Sequence, residues 1–147
     1  MKSRIYQIAE DSAEFKVFFF GCNLNDLFQN SFEGFKRLLY KKNPNRPEPK
    51  IPNYPLMQHT LELSAKDPEA LFVEWLKTIH HLVVKNRYMP LTVDYIQIED
   101  NHLKAQVSFR LVGHKDKYNH PIKAVHLGSA HFEPSKNGTK ISVVFDI

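Results

Sequence analysis

The sequence predicts an α+β fold: a two-layer sandwich with two helices packed on one face of a mostly antiparallel sheet. Three observations lead there. Two stretches carry apolar residues at helical spacing on one side only, and a helix with one apolar stripe must cover a partner surface. Most other ordered stretches are rich in β-branched and aromatic residues, which suit a pleated sheet. The order of elements, β-β-α-β-α-β-β-β-β, shows no internal repeat and no second domain, and two helices each with one apolar face suit one side of a mostly antiparallel sheet. With 147 residues, 42% hydrophobic and 24% charged, a single domain over residues 1–147 with a real core is expected.

The elements follow in chain order. Residues 4–9 and 14–21 read as two strands around the polar turn 10–13. The second, FKVFFFG, is dense enough in β-formers to be buried on both faces. Asn23 suits an N-cap, with Asp26 as a capping-box acid three residues on. Leu24, Leu27, Phe28, Ser31, Phe35, Leu38 and Leu39 then recur at helical spacing, opposite Asp26, Gln29, Asn30, Glu33, Lys36 and Arg37. Gly34 inside this helix costs about 1 kcal/mol relative to Ala, so a close packing contact is expected there.

Residues 43–55, NPNRPEPKIPNYP, hold five prolines and exclude helix or central strand. They read as a stiff surface connection or a partner-binding loop. Residues 59–64 alternate as a strand. Asp67-Pro68-Glu69 is a helix start with a cap, Pro at the first position and an early acid. The helix at 69–85 gathers Phe72, Trp75, Leu76, Ile79, Leu82 and Val83 on one face. His80 and His81 are about 100° apart on it, so they are surface or boundary residues and not an i,i+4 metal pair. Residues 92–98 and 103–111 form two strands around a tight turn at Asp100-Asn101, with Val93, Tyr95 and Gln97 facing one way and Ile96 and Ile98 the other. Residues 122–147 form a closing hairpin with its turn at Lys136-Asn137-Gly138, because Asn-Gly accepts the positive φ of a type I′ turn. A chain that ends on VVFDI places its last strand inside a sheet, and the lone acid there, Asp146, needs a reason.

Composition narrows the function. No apolar run approaches the roughly 20 residues that span a bilayer, and the first residues lack the apolar segment of a signal peptide. The single cysteine, Cys22, excludes an internal disulfide and a cysteine-based zinc cluster. A cytosolic protein without membrane or DNA partners is expected. The net charge of +4 suits an RNA or acidic-protein partner, and equally an ordinary cytosolic protein. Neither GxGxxG, GxxxxGK[ST] nor GxSxG occurs. What remains is a set of acids at strand ends, Asp11, Glu14 and Asp146, with Lys123 opening the strand before the last. Carboxylates brought together repel one another unless a hard cation or a lysine neutralises them. They read as a Mg²⁺ or Ca²⁺ site or as separate solvated charges.

Several stretches, in order and at matching spacing, resemble the archease family, whose members assist the GTP-dependent RNA ligase of tRNA splicing. YQIAEDSAEFKVFFFG lies over the family's N-terminal strand pair with its HTAD motif. LNDLFQNSFEGFKRLL is similar to the first helix, ALFVEWLKTIHHL to the second with its EWL, HLKAQVSF to the LKA strand, and IKAVHLG…ISVVFDI to the ending KAVTYH…VVFDI. The resemblance implies an archease-like fold. It also implies an accessory protein, not an enzyme in its own right, that activates an RNA ligase partner, with RNA as a further partner. The family's functional cluster falls on Glu14, Lys123 and Asp146, with a divalent metal, Mg²⁺ or Ca²⁺, at the acids and Asp11 adding charge. Lys123 is the residue it implicates in the chemistry, balancing the acids or contacting phosphate. HTAD is DSAE here and KAVTYH is KAVHLG. Two other readings stand beside this one: a protein- or RNA-binding, chaperone-like module on the same fold without metal, and a small metal-dependent hydrolase using His114, Asp116, His120 and His126 with Asp146.

Overall fold

Two amphipathic helices and eight strands carry the α+β architecture in the computed structural model, which describes residues 5–9, 15–40, 56–86, 88–111, 122–126, 131–136 and 138–146. The order is β1 (Tyr6–Ile8), β2 (Phe15–Gly21), α1 (Leu24–Tyr40), β3 (Leu56–Ser64), α2 (Pro68–Asn86), β4 (Tyr88–Glu99), β5 (His102–Leu111), β6 (Ala124–Val125), β7 (His131–Ser135) and β8 (Gly138–Asp146). Among the described residues every strand pairing is antiparallel. The strands form two sheets. One has five strands: β1, β2 and β8 in order, with β6 and β7 both on the far side of β8. The other has three, in the order β3-β5-β4. The proline-rich stretch 43–55 lies outside the described residues.

The helix starts follow their sequence signals. Asn23 Oδ1 accepts the Asp26 N–H at 2.9 Å, and Asp26 Oδ2 reaches back to accept the Cys22 N–H at 2.8 Å. This is a capping box whose return bond lands one residue before the cap. At α2, Asp67 Oδ1 accepts the Ala70 N–H at 2.7 Å.

Both helices touch both sheets. On α1, Phe35 meets Phe145 of the five-stranded sheet, while Phe32 meets Phe109 of the three-stranded one. On α2, Phe72 meets Phe19 and Phe132, and the helix also lies against β3, β4 and β5. Sharing two sheets explains why the buried residues exceed one stripe. Phe32 on α1, and Leu71 and Val73 on α2, are buried besides the positions that helical spacing picks out. Each fully buried ring stabilises the fold by about 1.5–3 kcal/mol relative to exposure. The fully buried Ser31 is satisfied: its hydroxyl donates to Phe28 O at 2.6 Å and accepts from Trp75 Nε1 at 3.1 Å. Gly34 is the expected close contact, since a Cβ there would lie 2.9 Å from Phe19 Cε1 and 3.2 Å from Tyr6 Cβ.

The Asp100-Asn101 turn has the positive φ values of a type I′ hairpin, 50° and 59°. Strand β4 departs from simple alternation. Register shifts fall between Pro90 and Thr92 and between Val93 and Tyr95. Val93 pairs with the buried Val107 and packs on the core, whereas Tyr95 pairs with Gln106 and is exposed. The bulge at Asp94 thus puts Val93 and Tyr95 on opposite faces, against the expectation that they share one. In the closing hairpin, Ser135 pairs with Gly138, so Gly138 belongs to β8. A Cβ on Gly138 would sit 2.3 Å from Gly21 O, which explains the glycine by close approach.

Candidate functional site

The end of β8 carries the candidate site. Val143, Ile141 and Phe145 point into the core and are almost wholly buried, so alternation sets Asp146 on the other face of the sheet. Strand β6 is held beside it at both ends. The Lys123 N–H donates to Asp146 O at 2.6 Å, and the His126 N–H donates to Val144 O at 2.9 Å. Between them Ala124 pairs with Asp146 and Val125 with Phe145. Val125 is buried and serves as the anchor, which leaves His126 on the same face as Asp146. Their side chains meet, with His126 Nε2 2.5 Å from Asp146 Oδ1. Both remain open to solvent, with side-chain exposures of 43% and 54%. Lys123 is exposed at the entry to β6.

The last strand is therefore inside a sheet, as expected, but Asp146 stands at its open end, not in a buried position. The contact of His126 with Asp146, and the backbone bond that sets Lys123 beside them, follow from two chain segments some twenty residues apart being zipped together. Asp11 and Glu14 lie outside the described residues. Phe15, which follows Glu14 in sequence, is the register partner of Phe145, which precedes Asp146. His114, Asp116 and His120 also lie outside the described residues. Of the residues considered for a hydrolase, the described ones, His126 and Asp146, are in contact.

The carboxylate of Asp146 is an oxygen donor of the kind Mg²⁺ and Ca²⁺ take, but those ions need six or more oxygens, several from carboxylates. Among the described residues no group of three or more His, Cys, Asp and Glu side chains is placed to hold a metal. Oδ1 is engaged by His126, and Oδ2 is the atom left to face a cation or a donor. The His126 contact was the feature least legible in the sequence. The signal for it is the cross-strand register of Ala124 with Asp146, which alternation around Val125 and Phe145 supplies.

A second carboxylate offers a contrast. Asp94, at the bulge in β4, accepts from the Ser108 hydroxyl, from Thr92 Oγ1 at 2.8 Å and from Gln58 Nε2 at 3.5 Å. The Ser108 bond first, and Thr92 next, hold its carboxyl below the ordinary aspartate range. Of the two adjacent histidines, His81 is exposed, and His80 is half-buried with Nε2 2.5 Å from Ile122 O and its ring edge-on to Phe35. That makes His80 a structural tether between α2 and the entry to β6.

No helix among the described residues is long and apolar enough to cross a membrane. A family model, the archease protein family (MTH1598/TM1083), matches residues 6–147. Solved structures match as well. The solution structure of Methanobacterium thermoautotrophicum protein 1598 aligns with a TM-score of 0.68 at 13% identity, covering 97% of this chain and 99% of that one. The crystal structure of a Thermotoga maritima archease (TM1083), described as a possible chaperone, aligns with a TM-score of 0.55 at 18% identity, covering 100% and 98%. Among curated proteins, none matches.

Proposed function

The chain belongs to the archease family, and on that premise we propose that it is an accessory protein that activates a GTP-dependent RNA ligase of tRNA splicing or RNA repair. It turns over no substrate of its own. The observation that carries this reading is the contact of His126 with Asp146 at one open sheet end, where the Lys123 backbone is hydrogen-bonded to Asp146 and the chain also enters β2 at Phe15. Asp146, with Asp11 and Glu14 from the first turn, would hold a divalent Mg²⁺ or Ca²⁺. The ion would supply positive charge for phosphate oxygens at the ligase active site. Lys123 adds a further cation for acids or phosphate. His126 fixes the Asp146 carboxylate by holding Oδ1 and leaves Oδ2 to face the ligand. The test is guanylylation of a purified RNA ligase with and without this protein. Stimulation that is lost on Asp146→Ala supports the reading; no stimulation overturns it.

A second reading is favoured by one observation. His126 already sits where a cation would share the Asp146 carboxylate. On that reading the chain is a metal-free, chaperone-like binding module, in line with the description of the Thermotoga protein as a possible chaperone. Calorimetry with Mg²⁺, Ca²⁺ and Mn²⁺ at millimolar concentration separates the two. Heat of binding that disappears with Asp146→Ala favours the metal, and its absence favours the module.

A further inference from the structure

The outer face of the five-stranded sheet carries two phenylalanines that the core does not use. The chain has eleven. Among the described residues, all the others join ring pairs with the core. Phe18 and Phe20 join none. Alternation along β2 turns Val17 and Phe19 fully inward and leaves Phe18 and Phe20 half-buried on the opposite face. Lysines lie over Phe18, and Phe20 carries no such contact among the described residues.

These two rings line a cavity of about 440 Å³ together with Asn30, Cys22, Lys136 and Lys140. That volume lies in the range of about 300–1,000 Å³ usual for small-molecule and cofactor sites. Lys136 and Lys140 line the cavity, and Lys16 stands beside it over Phe18. Lys140 Nζ lies 5.0 Å and Lys16 Nζ 5.6 Å from the Phe18 ring centroid, and Lys136 is exposed at the hairpin tip. Two acids oppose them. Glu133 lies 3.6 Å from Lys140 Nζ, and Asp26 lines the cavity with Oδ2 held by the Cys22 N–H. Lysines therefore exceed acids here. Asn30 donates its amide to Phe20 O at 2.9 Å, which leaves Oδ1 as an acceptor. A fitting ligand combines a flat apolar ring, an anionic group and a hydrogen-bond donor between them. A nucleotide has that combination, and the 2′-hydroxyl is the donor that ribose carries and deoxyribose lacks. A neighbouring row of lysines extends the match from one nucleotide to a strand with several phosphates.

We propose that this cavity binds single-stranded RNA, with a base packed against Phe20 and Phe18 and the backbone phosphates met by Lys136, Lys140 and Lys16. The site is separate from the Asp146 corner and does not depend on a ligase. Fluorescence anisotropy of a labelled single-stranded RNA octamer with the full chain alone tests it. Binding is expected, with a log–log salt slope that falls by about 0.7 for Lys136→Glu. Phe20→Leu, which keeps an apolar side chain but removes the ring, is expected to weaken binding about tenfold. Asp146→Ala is expected to bind as the wild type does, so the failure of one proposal leaves the other standing. RNA is also expected to slow alkylation of Cys22, the cysteine in the cavity wall. That readout and Lys136→Glu keep the test decisive should Phe20→Leu fold poorly. The proposal is overturned by absence of binding, by binding that neither variant weakens, or by equal binding of duplex RNA or of a polyglutamate peptide. Equal binding of a DNA octamer of the same sequence overturns the assignment to RNA.

Discussion

The two sheets share one core but treat their exposed carboxylates differently. On the three-stranded sheet Asp94 accepts from Ser108, Thr92 and Gln58. Its lone pairs are largely used, and its work is to hold a bulge. On the five-stranded sheet the carboxylate of Asp146 meets His126 and is otherwise open at the strand end. A saturated carboxylate stabilises local structure, whereas one with an oxygen to spare can take a ligand. The sheets also differ in origin. Strand β5 pairs with β4 through a tight hairpin and with β3 across α2, bringing residue 56 opposite residue 110, while β2 and β8 bring residue 15 opposite residue 145. The candidate site is thus assembled from chain ends that meet only once the five-stranded sheet has formed.

Variants can break this comparison at several levels. The largest effects should come from Phe145→Ala and Phe109→Ala, one in each sheet. Both rings are fully buried among other rings, and each loss should cost about 3–5 kcal/mol in urea unfolding. Well below their melting temperatures the two should diverge: Phe145→Ala disturbs the neighbour of Asp146 and lowers ligase stimulation, and Phe109→Ala preserves it. Next comes Gly34→Ala. A better helix former would gain about 1 kcal/mol in an open helix, but the new Cβ would press on Phe19 and Tyr6. A net loss of about 1–2 kcal/mol is expected in thermal melts. The smallest stability effect should be that of Asp94→Asn. The folded carboxyl titrates below its unfolded value, so its bonds contribute above about pH 4 and are lost as pH falls through the lower folded value. The variant should be slightly less stable than the wild type at pH 7, with a flatter acid limb, the difference shrinking as pH falls below about 4.

Much of the fold was legible because its signals are local. The caps at Asn23 and Asp67, the turn at Asp100-Asn101 and the crowded Gly34 each rest on residues within a few positions or on a plain steric cost. The division into two sheets was not legible, since apolar alternation specifies a buried face and not which sheet buries it. The Val93–Tyr95 pairing failed for a related reason: one bulge residue, Asp94, inverts the alternation downstream of it. At the candidate site, Lys123 and Asp146 carried a family signal, but the histidine that grips the carboxylate depends on cross-strand register, which no local pattern encodes. Phe18 and Phe20 were hidden inside a run that read as core on both faces.

The central claim is that the open carboxylate, not the saturated one, serves the partner. Guanylylation of a purified GTP-dependent RNA ligase in Mg²⁺, with wild type, Asp146→Ala and Asp94→Ala compared at equal folded concentration, tests it directly. The account predicts stimulation by wild type and by Asp94→Ala, and its loss with Asp146→Ala. Equal stimulation by all three, or none by the wild type, would contradict it.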